Sequence, residues 1–214
     1  VRVELTDTDG RVFADIIQAA GAVPIDVKDC GVDFCACATY KWLMGDFGAG
    51  FIYVRKDRLG MLKRSQIGYR QEESYITHLF PFDEPGSPVI ETASRKDTGG
   101  FVEVGTLANE AIPAVRHSLN YLLTTGVGKI ESYRQPMLKL LQENLPSLGF
   151  MPLTPVGSPS PIVSFAMKDA GMKLKDKMEA AGINIQLYKN RIRISPSVYN
   201  DMEDIQLLIK TLSS

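Results

Sequence analysis

Short apolar runs broken by turns fill the first third of the chain, and longer helical spacings fill the last half. Val12-Phe13-Ala14, Phe34 to Ala38 and Phe51 to Val54 are brief runs bounded by turn residues, which predicts strands. Between 62 and 100 the pattern dissolves into charged, aromatic and Gly/Pro-rich sequence, including Pro85-Gly86-Ser87-Pro88 and Gly99-Gly100. A connection this long is usually functional, disordered or engaged with a partner. From about Leu107 the spacing turns helical: Ala108, Ile112, Val115, Leu119 and Leu122 recur until Gly126 offers a stop. A second helix carries Ile130, Tyr133, Met137, Leu140 and Leu141 on one face and ends near Pro146. Ile162 to Phe165 reads as a strand, Lys173 to Ala181 as a helix stopped by Gly182, and Ile192 to Ser195 as a half-buried strand. Asn200, with Glu203 three residues on, is spaced as an N-cap and its reciprocal partner. The helix behind it runs through Ile205, Leu208, Ile209 and Leu212.

This order predicts an α/β unit over 1–126 with a small α+β unit over 127–214 docked on it, and a ligand cleft between them. No internal repeat or low-complexity tract interrupts it. The 214 residues suit one large domain or two small ones. Lys+Arg 24 against Asp+Glu 25 leaves a net charge of −1 without a block of one sign, which argues against nucleic acid as a partner. No apolar run approaches the roughly 18 residues that span a bilayer. Val1 to Asp7 lacks the apolar core of a secretion signal, so the expected compartment is the cytoplasm. Cys30, Cys35 and Cys37 crowd together, but no nearby histidine or fourth cysteine completes a metal site. They are expected to be buried, reduced thiols and no metal is expected.

The richest stretch runs from Ala38 to Val54. It sets Lys41 between an apolar strand and a turn carrying Gly45, Gly48 and Gly50, a position where α/β sheets bind ligands. The glycines either let backbone approach a ligand or simply turn a hairpin. Upstream, Asp15 ends a strand and Gln18 follows it. An amine that can lose its proton, an acid and an amide make up the ring end of a pyridoxal-phosphate site. Thr39 and Tyr40, together with Gly105-Thr106 at the start of a helix, could supply part of a phosphate cradle.

With those residues in view, the chain resembles the class V aminotransferase family of fold-type I pyridoxal-phosphate enzymes, which includes cysteine desulfurases, kynureninases and isopenicillin N epimerase-like proteins. The matching runs, in order, are Ala14 to Val27, Val32-Asp33-Phe34, Tyr40 to Leu43, Phe101 to Thr106 and Arg193 to Asn200. The resemblance implies an α/β, fold-type I large domain with a mainly parallel sheet, here incomplete, and a small C-terminal α+β domain. It implies pyridoxal 5′-phosphate as cofactor, an amino acid as substrate and a homodimer. Lys41 would be the Schiff-base lysine, Asp15 the partner of the pyridine nitrogen and Gln18 the neighbour of the ring hydroxyl. Tyr40 stands where the family has a histidine or tyrosine on the phosphate. Thr106 matches a threonine that reaches the phosphate of the opposite subunit, and Arg193 the arginine that grips the substrate α-carboxylate.

Two departures shape the expectation. The stretch from Gly182 to Arg193 contains no cysteine where desulfurases carry their catalytic one, which argues against a persulfide route. The family's N-terminal half, with its phosphate-binding turn and ring-stacking aromatic, has no counterpart in Val1 to Gly10. The motifs are common to transamination, β-elimination and epimerisation, and the leading expectation is a lysine-dependent transamination or C–S/β-elimination. The rival is a truncated scaffold that keeps the fold and an oligomer interface without a working site.

Overall fold

The computed structural model describes residues 5–6 and 10–213. Four strands form the first sheet in the order β1 (Leu5–Thr6), β2 (Val12–Asp15), β3 (Phe34–Ala38) and β4 (Gly50–Val54). Only β2 and β3 run parallel; β1 pairs antiparallel to β2, and β4 to β3. The sheet is therefore mixed within this chain, where a mainly parallel one was expected. Residues 39–49 hold no helix to carry the chain back across the sheet, so β4 must return antiparallel. Alternation along β3 buries Cys35 and Cys37 on one face, as their spacing predicts. Cys30 departs from the expectation: it lies exposed in a turn outside the strand.

Asp33 anchors the far end of this sheet. Its Oδ2 accepts the N–H of Val12 at 2.8 Å, and its Oδ1 takes Arg55 and Arg58, both at 2.8 Å. One buried carboxylate thus ties the starts of β2 and β3 to the exit of β4.

The segment without apolar periodicity is ordered after all. It forms a hairpin of β5 (Glu72–Thr77) and β6 (Ile90–Ser94), followed by the short α1 (Gly99–Val102). Polar staples hold it. Gln71 is fully buried, its Oε1 accepting the N–H of Gly68 and its Nε2 donating to the carbonyl of Phe101. Arg64 donates to Glu72 and Ser94. Structure held by side-chain polar bonds leaves no period of two or 3.6 in the hydrophobic pattern.

The helix expected from Leu107 begins later, as α2 (Ala111–Thr125), and Gly105-Thr106 lie in the preceding loop. Pro113 gives the reason. A start at 111 keeps its missing N–H in the first turn, where none is needed. α3 (Val127–Asn144) follows after Gly126, whose φ is +88°. Its buried face holds Ile130, Arg134, Met137, Leu138 and Leu141, while Tyr133 is half exposed. Beyond it come β7 (Met151–Pro152), β8 (Val163–Ala166), α4 (Ala170–Ala180), β9 (Gln186–Tyr188), β10 (Arg191–Ile194) and α5 (Met202–Ser213). The second sheet, β7-β8-β10-β9, is antiparallel throughout and packs with α3, α4 and α5 around Phe165, Ile192 and Leu208. The N-cap of α5 is Asp201, one residue past the expected Asn200. Its Oδ1 accepts the N–H groups of Glu203 and Asp204, and Asp204 reaches back to the N–H of Asp201. Asn200 instead accepts the N–H of Ser197.

Candidate active site

The carboxyl ends of β2 and β3 lie side by side, with Asp15 opposite Ala36 and the N–H of Ile16 donating to the carbonyl of Ala36 at 3.0 Å. This brings Asp15 beside the root of the loop that carries Lys41. Inside that loop Thr39 is buried, and its hydroxyl is shared between the carbonyls of Asp46 and Ala49 at 3.2 and 3.1 Å. A Cβ on Gly45 would lie 2.7 Å from both Thr39 and Val115. The glycines therefore serve the turn and its packing on α2, the hairpin alternative of the two sequence readings. Tyr40 stacks on Phe47 with ring centroids 4.9 Å apart. Lys41 is exposed and forms no ion pair among the described residues.

Asp15 accepts the N–H of Ile17 at 3.0 Å through Oδ1, which leaves Oδ2 without a partner among the described residues. Gln18 accepts the indole N–H of Trp42 at 3.0 Å through Oε1. An indole nitrogen can only donate, so the bond selects the amide orientation and commits the Gln18 oxygen, leaving the NH2 group to donate elsewhere. Gly21, at φ +85°, presses against the same tryptophan: a Cβ there would lie 2.5 Å from the Trp42 carbonyl oxygen. The residues following Asp15 and the residue following Lys41 are thus locked together. Beneath them the buried Cys37 thiol is pushed up to about 11, chiefly by burial and then by the negative charge of Asp15, while the Lys41 ammonium pulls it down.

Asp15, Gly105 and Thr106 line one open cavity of 940 Å³ over the uncovered face of the first sheet, with Phe13, Ala36 and Ile52 on its floor. The Thr106 hydroxyl bonds that of Tyr69 at 2.8 Å. Lys41, Tyr40, Gln18 and Thr39 lie outside the lining of that cavity. Arg193 lines a separate cavity of 380 Å³, formed by the 182–186 loop, β10 and the start of α5. Its Nε is buried without a partner among the described residues. The structure thus ties the Gln18 amide to the residue after Lys41, places Gly105 and Thr106 in one cavity with the acid, and keeps the arginine in another.

Sequence reasoning assigned no part to Arg134, Trp42 or Gly21. The only available signal was an arginine four residues after Ile130, on the apolar stripe of a helix. Among the described residues no three His, Cys, Asp or Glu side chains converge as metal ligands, and no helix is long and apolar enough to cross a membrane.

A sheet whose adjacent parallel strands end in an acid and in an amine-bearing loop, followed by a small α+β unit, defines an α/β protein. The chain belongs to the class V aminotransferase family: the family model described as "Aminotransferase class-V" matches residues 4–208. A curated relative, the "Uncharacterized aminotransferase YcbU" of Bacillus subtilis, is 29% identical over 217 residues, covering 99% of this chain and 53% of its own length. Among solved structures, the apo cysteine desulfurase of Thermococcus onnurineus superposes with a TM-score of 0.78 at 20% identity, over 96% of this chain and 52% of that one. The cystine C-S lyase C-DES, in complex with cysteine persulfide, gives 0.78 at 23% identity, over 95% and 52%. These likenesses establish the fold, which is that of the fold-type I enzymes. The chain spans about half the length of the curated relatives it matches.

Proposed function

We propose that this chain carries the lysine-bearing half of a pyridoxal 5′-phosphate site in an enzyme that acts on an amino acid by transamination or by C–S or β-elimination. The observation that carries this reading is that Asp15 ends β2 beside the parallel β3, whose own end runs directly into the loop that bears Lys41. The residues fit the ring end of that cofactor: an amine free of any carboxylate, an acid with one oxygen open, and an amide turned to donate. When bound, the cofactor supplies an electron sink for charge developing at the substrate α-carbon. Lys41 would hold its aldehyde carbon through Nζ and, once released, move the α-proton. Asp15 would keep the pyridine nitrogen protonated by its charge, and Gln18 would donate to the ring hydroxyl. Tyr40 is assigned to the phosphate, and Gly105 and Thr106 to the phosphate of the opposite subunit. Thr39 contributes by shaping the loop, since its hydroxyl is already engaged there.

Arg193 is assigned to the substrate α-carboxylate; support comes from its buried, unpartnered Nε, a donor still open. The unit over 1–126 would carry the cofactor and that over 127–214 the arginine. A homodimer is part of this reading, supported by Leu79, Phe80 and Phe82 standing exposed beyond β5. Three free thiols suit the cytoplasm.

A second reading, a structural module without turnover, draws on the uncovered face of the first sheet and the distance in the fold between Arg193 and the lysine loop. One titration decides between them. Adding pyridoxal 5′-phosphate is expected to raise a visible absorption band that Lys41→Ala abolishes; a complete and folded protein that gives no band, or a band indifferent to the substitution, overturns the catalytic reading.

A further inference from the structure

Arg134 is the largest fully buried side chain of the described residues, 1% exposed, and it is a cation that forms no ion pair among them, although the Glu131 carboxylate on the same helix acts on it at longer range. Its one hydrogen bond among the described residues runs from a terminal guanidinium nitrogen to the carbonyl of Ala22 at 2.7 Å, across 112 positions of sequence. Its Nε and its other terminal nitrogen have no hydrogen-bond partner among the described residues. Its guanidinium lies over the Trp42 ring, 5.4 Å from the centroid. Burying a charge on such terms is costly, and a methionine would fill the position more cheaply if packing were the only demand.

The position explains the expense. Ile130, Arg134 and Leu138 follow one another on a single face of α3. Ile130 belongs to the core under the first sheet, with Cys37 and Leu43. Leu138 belongs to the core of the second, with Phe165 and Ile192. Arg134 is the residue between the two cores, and from there it holds both halves of the lysine site. Through Ala22 it fixes the segment that follows Asp15. Through the Trp42 ring it fixes the residue that follows Lys41, and Trp42 in turn orients the Gln18 amide.

We propose that Arg134, acting through Trp42, is a positioning residue for the cofactor lysine. It fixes the indole so that Gln18 presents its N–H group, and it couples helix α3 to the seat of Lys41. This rests on the reading of Lys41 as the cofactor amine.

The experiment uses the 214-residue chain with added pyridoxal 5′-phosphate, and its single tryptophan as an internal reporter. Arg134→Met should shift the emission of Trp42 in the cofactor-free chain, because the cation leaves the ring face. It should also reduce borohydride trapping of the cofactor on Lys41, read by peptide mass, by about tenfold. Trp42→Phe keeps an aromatic ring but removes the N–H donor. Both variants should move the visible band of bound cofactor, since the hydrogen bond to its ring hydroxyl changes. Phe165→Ala, which loosens the distant core, should weaken folding and leave the band where it was. If Arg134→Met and Trp42→Phe fold and keep the wild-type band and trapping rate, the positioning role is wrong while Lys41 stands. If they move the band no more than Phe165→Ala does, the role is structural and the proposal falls. If the wild-type chain labels at other lysines and not at Lys41, the functional reading itself fails.

Discussion

The two sheets of this molecule meet the same physical demand with unequal success. The second, β7-β8-β10-β9, lays Val163, Phe165, Ile192 and Ile194 against three helices, and those side chains are at most 3% exposed. The first buries Ala14, Cys35 and Cys37 on one face, yet leaves Phe13 at 40% exposure and Asp15 open on the other, facing the 940 Å³ cavity. α2 tells the same story, for Ile112 and Leu119 of its apolar stripe remain 46% and 38% exposed. One region is closed on itself and stable for its own sake. The other keeps a face for ligand or for more protein, and Asp15, Gly105 and Thr106 stand on it.

Several substitutions can break that contrast. The largest expected effect is Phe165→Ala, which should cost about 3–5 kcal/mol in urea unfolding, whereas Phe13→Ala on the open face should cost about 1 kcal/mol or less. Equal losses would show that the open face is packed in solution, by a second copy for instance. Next comes Gly21→Ala. Its φ of +85° and the 2.5 Å approach to the Trp42 carbonyl predict a loss of about 2 kcal/mol and a looser lysine loop, seen as a change in tryptophan emission. Unchanged stability would mean that the 18–22 turn yields easily and does not clamp the site.

The smallest effect sharpens the comparison through pH. The hydrogen bond from Arg58 and that from the Val12 N–H hold the Asp33 carboxyl below its ordinary 3.8. A depressed folded value stabilises the native state fully above that ordinary value, and the gain disappears as pH falls through the depressed one. Wild-type stability should therefore drop in that acid window, and Asp33→Asn should flatten the drop while lowering stability at neutral pH. A wild-type curve with no acid step would remove Asp33 from the anchoring of the first sheet.

Where local pattern and tertiary burial coincide, the chain could be read directly. β3 alternates because one face is buried, β10 does the same with Ile192 and Ile194, and Gly126 and Gly182 end helices with positive φ. The β5–β6 hairpin escaped because Gln71 and Arg64 hold it by polar bonds that leave no period. Arg134 escaped because an arginine on a helix is ordinarily solvated, and only the approach of Ala22 and Trp42 makes it internal.

The sequence by itself determined the elements with a clean hydrophobic period and the residue types, Lys41, Asp15 and Gln18, that suit one cofactor. Tertiary structure alone decided that the acid and the lysine-bearing loop leave neighbouring strands at the same end of the sheet, that Thr39 turns inward to the loop, that Arg193 lines another cavity, and that a buried cation lies between two cores. The reason is physical: periodicity records contacts between neighbours along the chain, whereas a hydrogen bond spanning 112 positions leaves no trace until the backbone has folded.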